Sequence, residues 1–300
     1  MADVWSRETW ALILLALLLI AVIIVWSIQK LNFHDLDIFD AAEKGRIDRV
    51  KYLTKHVPGL VDSKQEPGAW TPLILASLNG RLEIVKFLVE KGANVNASSI
   101  NGHTPLMLAA LKGHKDIVSF LINRGADVNS KSRQGATAFD AAVCEGHIET
   151  TELLLDNGSQ INSKNNIGLT PLHGCAWVGR IEAVNFLLGH GAEVNTRDGD
   201  GRTPLSYAAC FGHPEIVKLL VDKDAKINVK DKVSGETALH LAVRGGHTEA
   251  VKLLVAAGAD IDCRNNDGHT PFDLTKQLSK ESDIIDLLRK RKDDGGYRDD

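Results

Sequence analysis

Gly102-His103-Thr104-Pro105-Leu106-Met107-Leu108-Ala109-Ala110, followed by Gly113-His114, is the stretch whose reading decides how the rest of this 300-residue chain is understood. It is one copy of a pattern. A Thr-(Pro/Ala)-(Leu/Phe) tripeptide begins at Thr71, Thr104, Thr137, Thr170, Thr203, Thr237 and Thr270, in steps of 33, 33, 33, 33, 34 and 33 residues. A fixed period of this size is the mark of stacked supersecondary units, and it takes precedence over any single motif.

The copy that begins at Thr104 shows how one unit folds. Pro105 suits the first position of a helix, where its missing N–H would have no partner in any case. Ala109 and Ala110 are small enough for neighbouring helices to approach closely. Gly113 ends the helix and His114 opens the turn. Ile117, Val118, Leu121 and Ile122 then make the apolar stripe of a second helix. Gly125 falls just past it, where a left-handed residue is favoured. Asp127-Val128-Asn129 leads into a turn that ends at Gly135. Such a unit cannot bury its apolar face alone, so the units must stack into a shared core.

The recurring Thr-Pro-Leu, the mid-repeat Gly-His and the Gly-Ala-Asp-Val-Asn run closely resemble the ankyrin repeat. The resemblance implies an all-α solenoid of helix-turn-helix units joined by hairpin loops. About eight units account for residues 36–292. The first is degenerate: Ala41-Ala42-Glu43-Lys44-Gly45-Arg46 matches Ala109 to His114, but no opening tripeptide precedes it. In the last, Ser279-Lys280 replaces Gly-His, and Asp283, Lys290, Arg291 and Lys292 provide the polar outer face of a cap. Two connections are irregular: Ser63 to Ala69 carries a Pro-Gly and two extra residues, and Lys230 to Gly235 carries one.

At 44% hydrophobic and 25% charged, the composition is ordinary for a globular protein. The 5% aromatic content suits helices packed through Ala and Leu, and a net charge of −4 gives no bias toward nucleic acid. Cys144 and Cys210 share a register position two repeats apart, roughly 20 Å at ordinary helix spacing. A disulfide needs Cα atoms within about 7 Å. All four cysteines are therefore expected as free thiols, which fits a reducing compartment.

Ahead of the repeats, Trp10 to Ile28 is an apolar run broken only by Ser27. At about 1.5 Å per residue it spans roughly 28 Å, close to a bilayer core of about 30 Å. Trp10 and Trp26 stand near its ends, where interfacial aromatics belong. The preceding tail carries Asp3, Arg7 and Glu8, unlike the basic start of a cleaved signal peptide, and no small-residue cleavage site follows. The organisation expected is a short tail over residues 1–9, one N-terminal transmembrane helix over 10–28, a connector over 29–35, the repeats over 36–292 and a polar tail over 293–300. Lys30, Lys44 and Arg46 follow the span against Arg7 alone before it, which places the repeats in the cytoplasm, with the periplasm of a bacterium as the alternative. Membrane lipid is then one partner, through the N-terminal helix.

Motifs that suggest chemistry dissolve into the repeat. His114, His147, His213 and His247 all follow the mid-repeat Gly, and His173 and His240 share the place after Thr-Pro-Leu or Thr-Ala-Leu. Equivalent positions in adjacent repeats lie about 10 Å apart, whereas zinc–nitrogen bonds are about 2.1 Å. These histidines are expected to bond structure rather than metal. Asp198-Gly199-Asp200-Gly201 begins like a calcium loop, but Arg202 and Ala209 stand where ligands are required. Asn96-Ala97-Ser98 and Asn157-Gly158-Ser159 are formal glycosylation triplets. Asn96, however, belongs to a row with Asn129, Asn162, Asn195 and Asn228, which points to backbone bonding. Arg289-Lys290-Arg291-Lys292 reads as the solvated end of the last helix. No Walker loop, Gly-x-Ser-x-Gly elbow or His-Glu-x-x-His occurs. No catalytic residue, metal, cofactor or small-molecule substrate is expected.

What remains is surface. The resemblance implies that partners bind along the hairpin tips and the first-helix face lining the concave side. Two exposed positions precede each mid-repeat Gly, and at them stand Leu78, Leu111, Trp177 and Phe211. Four large apolar residues in such places predict a partner site, with the aromatics as anchors. Trp70, His103, Arg133, Leu169 and Arg202 extend it along the hairpin tips. The expected function is a membrane-anchored protein–protein interaction scaffold or adaptor with a partner protein not named by the sequence. The alternative is a bacterial exported-side protein that protects or chaperones an enzyme.

Overall fold

The computed structural model describes residues 37–277 and 283–294. The expected membrane span Trp10–Ile28 and its connector lie outside the described residues, as do Ser279-Lys280 and residues 295–300 of the tail. Among the described residues, no helix is long and apolar enough to cross a membrane. The described residues fall into two compact units, one ending at Asn94 and the other beginning at Val95.

The first unit holds two helix pairs, Ile38–Lys44 with Ile47–His56 and Pro72–Leu78 with Leu82–Glu90. A 3-10 turn, Pro58–Asp62, and the irregular connection lie between them. In that connection Gln65 and Trp70 form an isolated antiparallel bridge. The degenerate first pair caps its helix with Asp37, whose carboxylate accepts the Phe39 N–H at 2.8 Å, in place of the missing Thr.

The second unit holds six pairs: Pro105–Leu111 with Lys115–Asn123, Ala138–Glu145 with Ile148–Asp156, Pro171–Val178 with Ile181–Gly189, Pro204–Cys210 with Pro214–Val221, Ala238–Arg244 with Thr248–Ala256, and Pro271–Leu274 with Asp283–Asp294. Counting from the N-terminus, these are repeats 3 to 8. The last helix runs two residues past the expected limit at Lys292. Within each unit, each first helix packs on the first helix of the next repeat, with the second helices behind.

The repeated threonine sets the start of each first helix. Thr104 Oγ1 accepts the Met107 N–H at 3.3 Å, and Thr137 and Asp140 cap each other reciprocally. Leu106, Ala109 and Ala110 of the first helix and Ile117, Val118 and Leu121 of the second are buried, as the pattern requires. Each hairpin is closed by a backbone pair such as Asp198 N–H to Arg202 C=O at 3.0 Å. Successive tips are joined as well: the N–H groups of Arg133, Asn166, Gly199, Lys232 and Asn266 donate to the carbonyls of Asn101, Gln134, Ile167, Asp200 and Ser234. Gly168 lets two tips meet. Its φ is +83°, and an added Cβ would lie 2.8 Å from the Gly199 nitrogen.

The asparagine row behaves as expected. Asn195 Nδ2 donates to Asp224 C=O at 3.1 Å, and its Oδ1 accepts the Lys226 N–H at 2.7 Å. Asn96, Asn129, Asn162 and Asn228 make the corresponding donor bond to the next repeat. Every copy therefore bonds two repeats through one side chain.

Candidate partner-binding face

Near the end of four successive first helices, one carbonyl is held by a side chain of the repeat that follows. His147 Nε2 bonds Leu111 C=O at 3.1 Å, His213 Nε2 bonds Trp177 C=O at 3.0 Å, and His247 Nε2 bonds Cys210 C=O at 3.0 Å. Arg180 takes the histidine's place in its own repeat and donates Nε–H to Cys144 C=O at 3.2 Å. The mid-repeat glycine makes room for these rings: a Cβ at Gly179 would lie 2.6 Å from His213. The result is a row, Leu111, Cys144, Trp177 and Cys210, at matched places on the first-helix face. The histidines that look like metal ligands are its braces. Among the described residues, no group of three or more His, Cys, Asp or Glu is placed to hold a metal ion.

Trp177 and Phe211 are 46% and 44% exposed. Their rings stack with centroids 5.6 Å apart and 28° between planes. This is closer than the repeat spacing predicts, because Phe211 stands one place beyond the register position of Trp177 and leans back over it. Tyr207, one helical turn before Phe211, also stacks on Trp177, at 6.0 Å, and meets buried His173 edge-on at 5.8 Å. Three aromatic rings thus form one half-exposed platform. Tyr207 was not expected here. The signal was its i, i+4 relation to Phe211, which puts both on one helix face.

Polar groups fix the platform's rim. Tyr207 Oη donates to Asp198 Oδ2 at 2.7 Å. That bond and burial raise the phenol's pKa, burial contributing most. Arg202 Nε lies 3.5 Å from Asp231 Oδ2, and Arg244 pairs with buried Glu236. Burial alone would raise the pKa of Asp231. Bonds from the Ser234 N–H and hydroxyl, and then the Arg202 charge, lower it instead. Arg202 therefore reaches the face with its carboxylate partner already in place.

Two repeats toward the N-terminus, an apolar cavity of about 110 Å³ opens on the same face, lined by His103, Met107, Leu108, Leu111, Ala136 and Ala141 among others. Two expected residues, His103 and Leu111, meet there. The cavity itself was not foreseen, although its cause was on view. Ala141 stands where repeats 2, 3 and 7 carry Leu75, Leu108 and Leu241, and the shorter side chain leaves space.

Leu169 requires a correction. It is only 9% exposed, because its side chain turns inward beneath the hairpin, while Ile167 at the same tip is 64% exposed. Arg133 is exposed at its tip, with its N–H and C=O engaged by Asn101 and Asn166. Trp70 and Leu78 are half-buried and belong to the first unit. All four cysteines are free thiols. Cys144 and Cys175, however, face each other across adjacent repeats with Sγ atoms 3.8 Å apart, a pairing that a comparison of Cys144 with Cys210 alone passes over.

A model of three consecutive ankyrin repeats matches residues 38–132, 97–165 and 139–231. A single ankyrin-repeat model matches residues 234–266. Among solved structures, the chain is similar to the human ASB11 ankyrin repeat domain, at 29% identity over 74% of this chain and 98% of that one, with a TM-score of 0.65. No curated protein matches the chain.

Proposed function

This chain belongs to the ankyrin-repeat family, and from that premise we propose that it is a membrane-tethered scaffold or adaptor that binds a partner protein along the first-helix face of repeats 3 to 6. Ankyrin-repeat proteins are typically non-enzymatic modules for protein–protein interaction. The observation that carries the reading is the Trp177–Tyr207–Phe211 platform. A contiguous group of large aromatic rings left half in water marks an interaction site, and aromatics are the usual hot spots of interfaces. The cavity beneath Leu111 accepts one apolar side chain from the same partner, two repeats from the platform. The fitting partner is a segment with two apolar anchors about 20 Å apart, matching two repeat spacings.

Trp177→Ala and Phe211→Ala test this. Each is expected to lose more than about 1–2 kcal/mol of partner binding while costing the fold no more than about 1.5 kcal/mol of stacking. A loss of about 3–5 kcal/mol of stability, the cost of truncating a core aromatic, would count against the reading. So would unchanged partner recovery with both variants. Asp156 and Asn157, exposed at the end of a second helix, are control positions.

Trp10–Ile28 supplies the tether, supported by its length, apolarity and flanking tryptophans. The protein is expected to resist carbonate extraction and to retain its N-terminus. Cytoplasmic repeats would be digested from the cytoplasmic side of sealed vesicles only. Digestion from the other side would favour the exported-side alternative.

A further inference from the structure

We propose that Cys144 and Cys175 are a disulfide-forming modification site, set into the first-helix face between repeats 4 and 5 and responsive to a peroxide oxidant. Repeat 5 departs from the shared pattern at two neighbouring positions, and both departures serve this pair. Cys175 stands where repeats 2, 3, 4, 6 and 7 carry Ala76, Ala109, Ala142, Ala208 and Ala242. Gly174 stands where those repeats carry Leu75, Leu108, Ala141, Tyr207 and Leu241. A Cβ on Gly174 would come within 2.8 Å of Cys144 Sγ, so the glycine vacates the space that the Cys144 thiol occupies. In that space Cys144 Sγ lies 3.8 Å from Cys175 Sγ. Side-chain rotation and a small backbone adjustment close this gap to the bonded distance of about 2.05 Å.

The two thiols are suited to different parts. Cys144 is half-buried and open to a small oxidant, whereas Cys175 is fully buried. The neighbouring Cys144 thiol and burial hold Cys175 in its protonated form. Arg180, anchored to the Cys144 carbonyl, places a cation beside the pair. Cys144 thiolate attacks one oxygen of hydrogen peroxide. The O–O bond breaks, the departing hydroxide takes up a proton to become water, and Cys144 is left as a sulfenic acid. Cys175 sulfur then attacks Cys144 Sγ and displaces hydroxide, which takes the Cys175 proton as a second water. Two thiols have lost two electrons, one peroxide has gained them, and one S–S bond has formed. Cys144 shares its row with Leu111 and Trp177, so the bridge would clamp adjacent first helices beneath the face.

The reduced full-length protein is treated with hydrogen peroxide, unfolded, alkylated and mapped by peptide mass. Two of the four thiols should become unreactive, the peptides bearing Cys144 and Cys175 should appear joined, and dithiothreitol should release them. Cys210 and Cys263 should stay alkylatable. The bridged form should unfold at higher temperature, since the link closes a loop between positions 31 apart. Cys144→Ser should abolish the joined peptide, and Gly174→Ala, by displacing the thiol, should slow its formation on the order of tenfold. Four alkylatable thiols after oxidation would overturn the proposal. So would Cys144 oxidised beyond the sulfenic state with Cys175 still free, or a bridge that joins any other pair.

Discussion

Asp224 shows how far one residue can be judged from its row. The equivalent positions after the second helix are Gly92, Gly125, Gly158, Gly191 and Gly258, all with φ between +84° and +90°. Asp224 adopts +61°, the same left-handed region, despite its Cβ. Its carbonyl must face Asn195 Nδ2, so the backbone cannot relax without giving up that bond. Asp224→Gly should therefore raise stability by up to about 1 kcal/mol, less the greater freedom of glycine in the unfolded chain. A higher urea midpoint with an unchanged slope is the expected result. A lower midpoint would mean that the Asp224 side chain contributes more than its backbone costs. This residue was legible because five others mark its conformation. Ala69, at φ +53°, was not, because it sits in the irregular connection where no register exists to compare. Leu169 and Ile167 make the same point for side-chain direction: the period placed both at a hairpin tip, and only the local turn decides which one faces water.

At the scale of the element, the third residue of each first helix varies while its task stays the same. It is Ile74 and Met107 in repeats 2 and 3, then Asp140, His173, Ser206, His240 and Asp273, and the last five complete a capping box with the repeat threonine. In His173, Nδ1 accepts the Thr170 N–H at 3.1 Å, which leaves Nε2 to donate to Arg202 C=O at 3.2 Å. His240 makes the same pair of bonds to Thr237 and His269. Only the neutral ring fits, since a proton on Nδ1 would face a donor. Burial, the largest influence on both rings, lowers their pKa from the ordinary 6.5. The unfolded chain takes up these protons below about pH 6.5 and the folded chain does not, so stability falls as pH drops through that value. Asp273, lowered to about 2, and Asp231, also lowered, lend stability that is lost only below about pH 3.8. Asp140, raised mainly by burial, acts in the opposite sense. Replacing both histidines with Gln, which can serve the same capping box without titrating, isolates their share. The native protein should have a lower urea midpoint at about pH 5.5 than at about pH 7.5, and the double variant should show a smaller difference. Equal differences would place the pH sensitivity elsewhere. The caps were legible from Thr-Pro alone. The inter-repeat bond made by each histidine was not, because it depends on which carbonyl the next hairpin brings near.

For the whole molecule, the 33-residue period carried most of the fold, since successive copies share one pattern of burial and most of their inter-repeat bonds. The division after Asn94 had no such signal: the Gly-Ala-Asn-Val-Asn run passes through it unchanged. Stacked repeats are coupled chiefly to their neighbours, so the effect of a defect should depend on its position along the stack. Leu187, fully buried on the second helix of repeat 5, has repeats on both sides. Leu288, equally well buried, lies on the last helix, Asp283–Asp294, which packs on Thr248–Ala256 and has no repeat beyond it among the described residues. Each change to Ala removes the same methyl groups from a closed site and would cost about 2–5 kcal/mol locally. Leu187→Ala must interrupt the core between repeats 3–4 and 6–8, so it should lower the stability of the second unit as a whole. Leu288→Ala can be met by opening the final repeat alone, at the cost of that repeat's contacts and no others. Amide exchange reads the difference directly. In Leu288→Ala, protection should fall over Pro271–Leu274 and Asp283–Asp294 and stay unchanged over Pro105–Leu111 and Pro204–Cys210, the helices that carry the cavity and the platform. In Leu187→Ala, it should fall over both of those helices. Uniform loss in both variants would mean that the second unit folds as one indivisible body, and the partner-binding face could not then be insulated from damage at the stack's end.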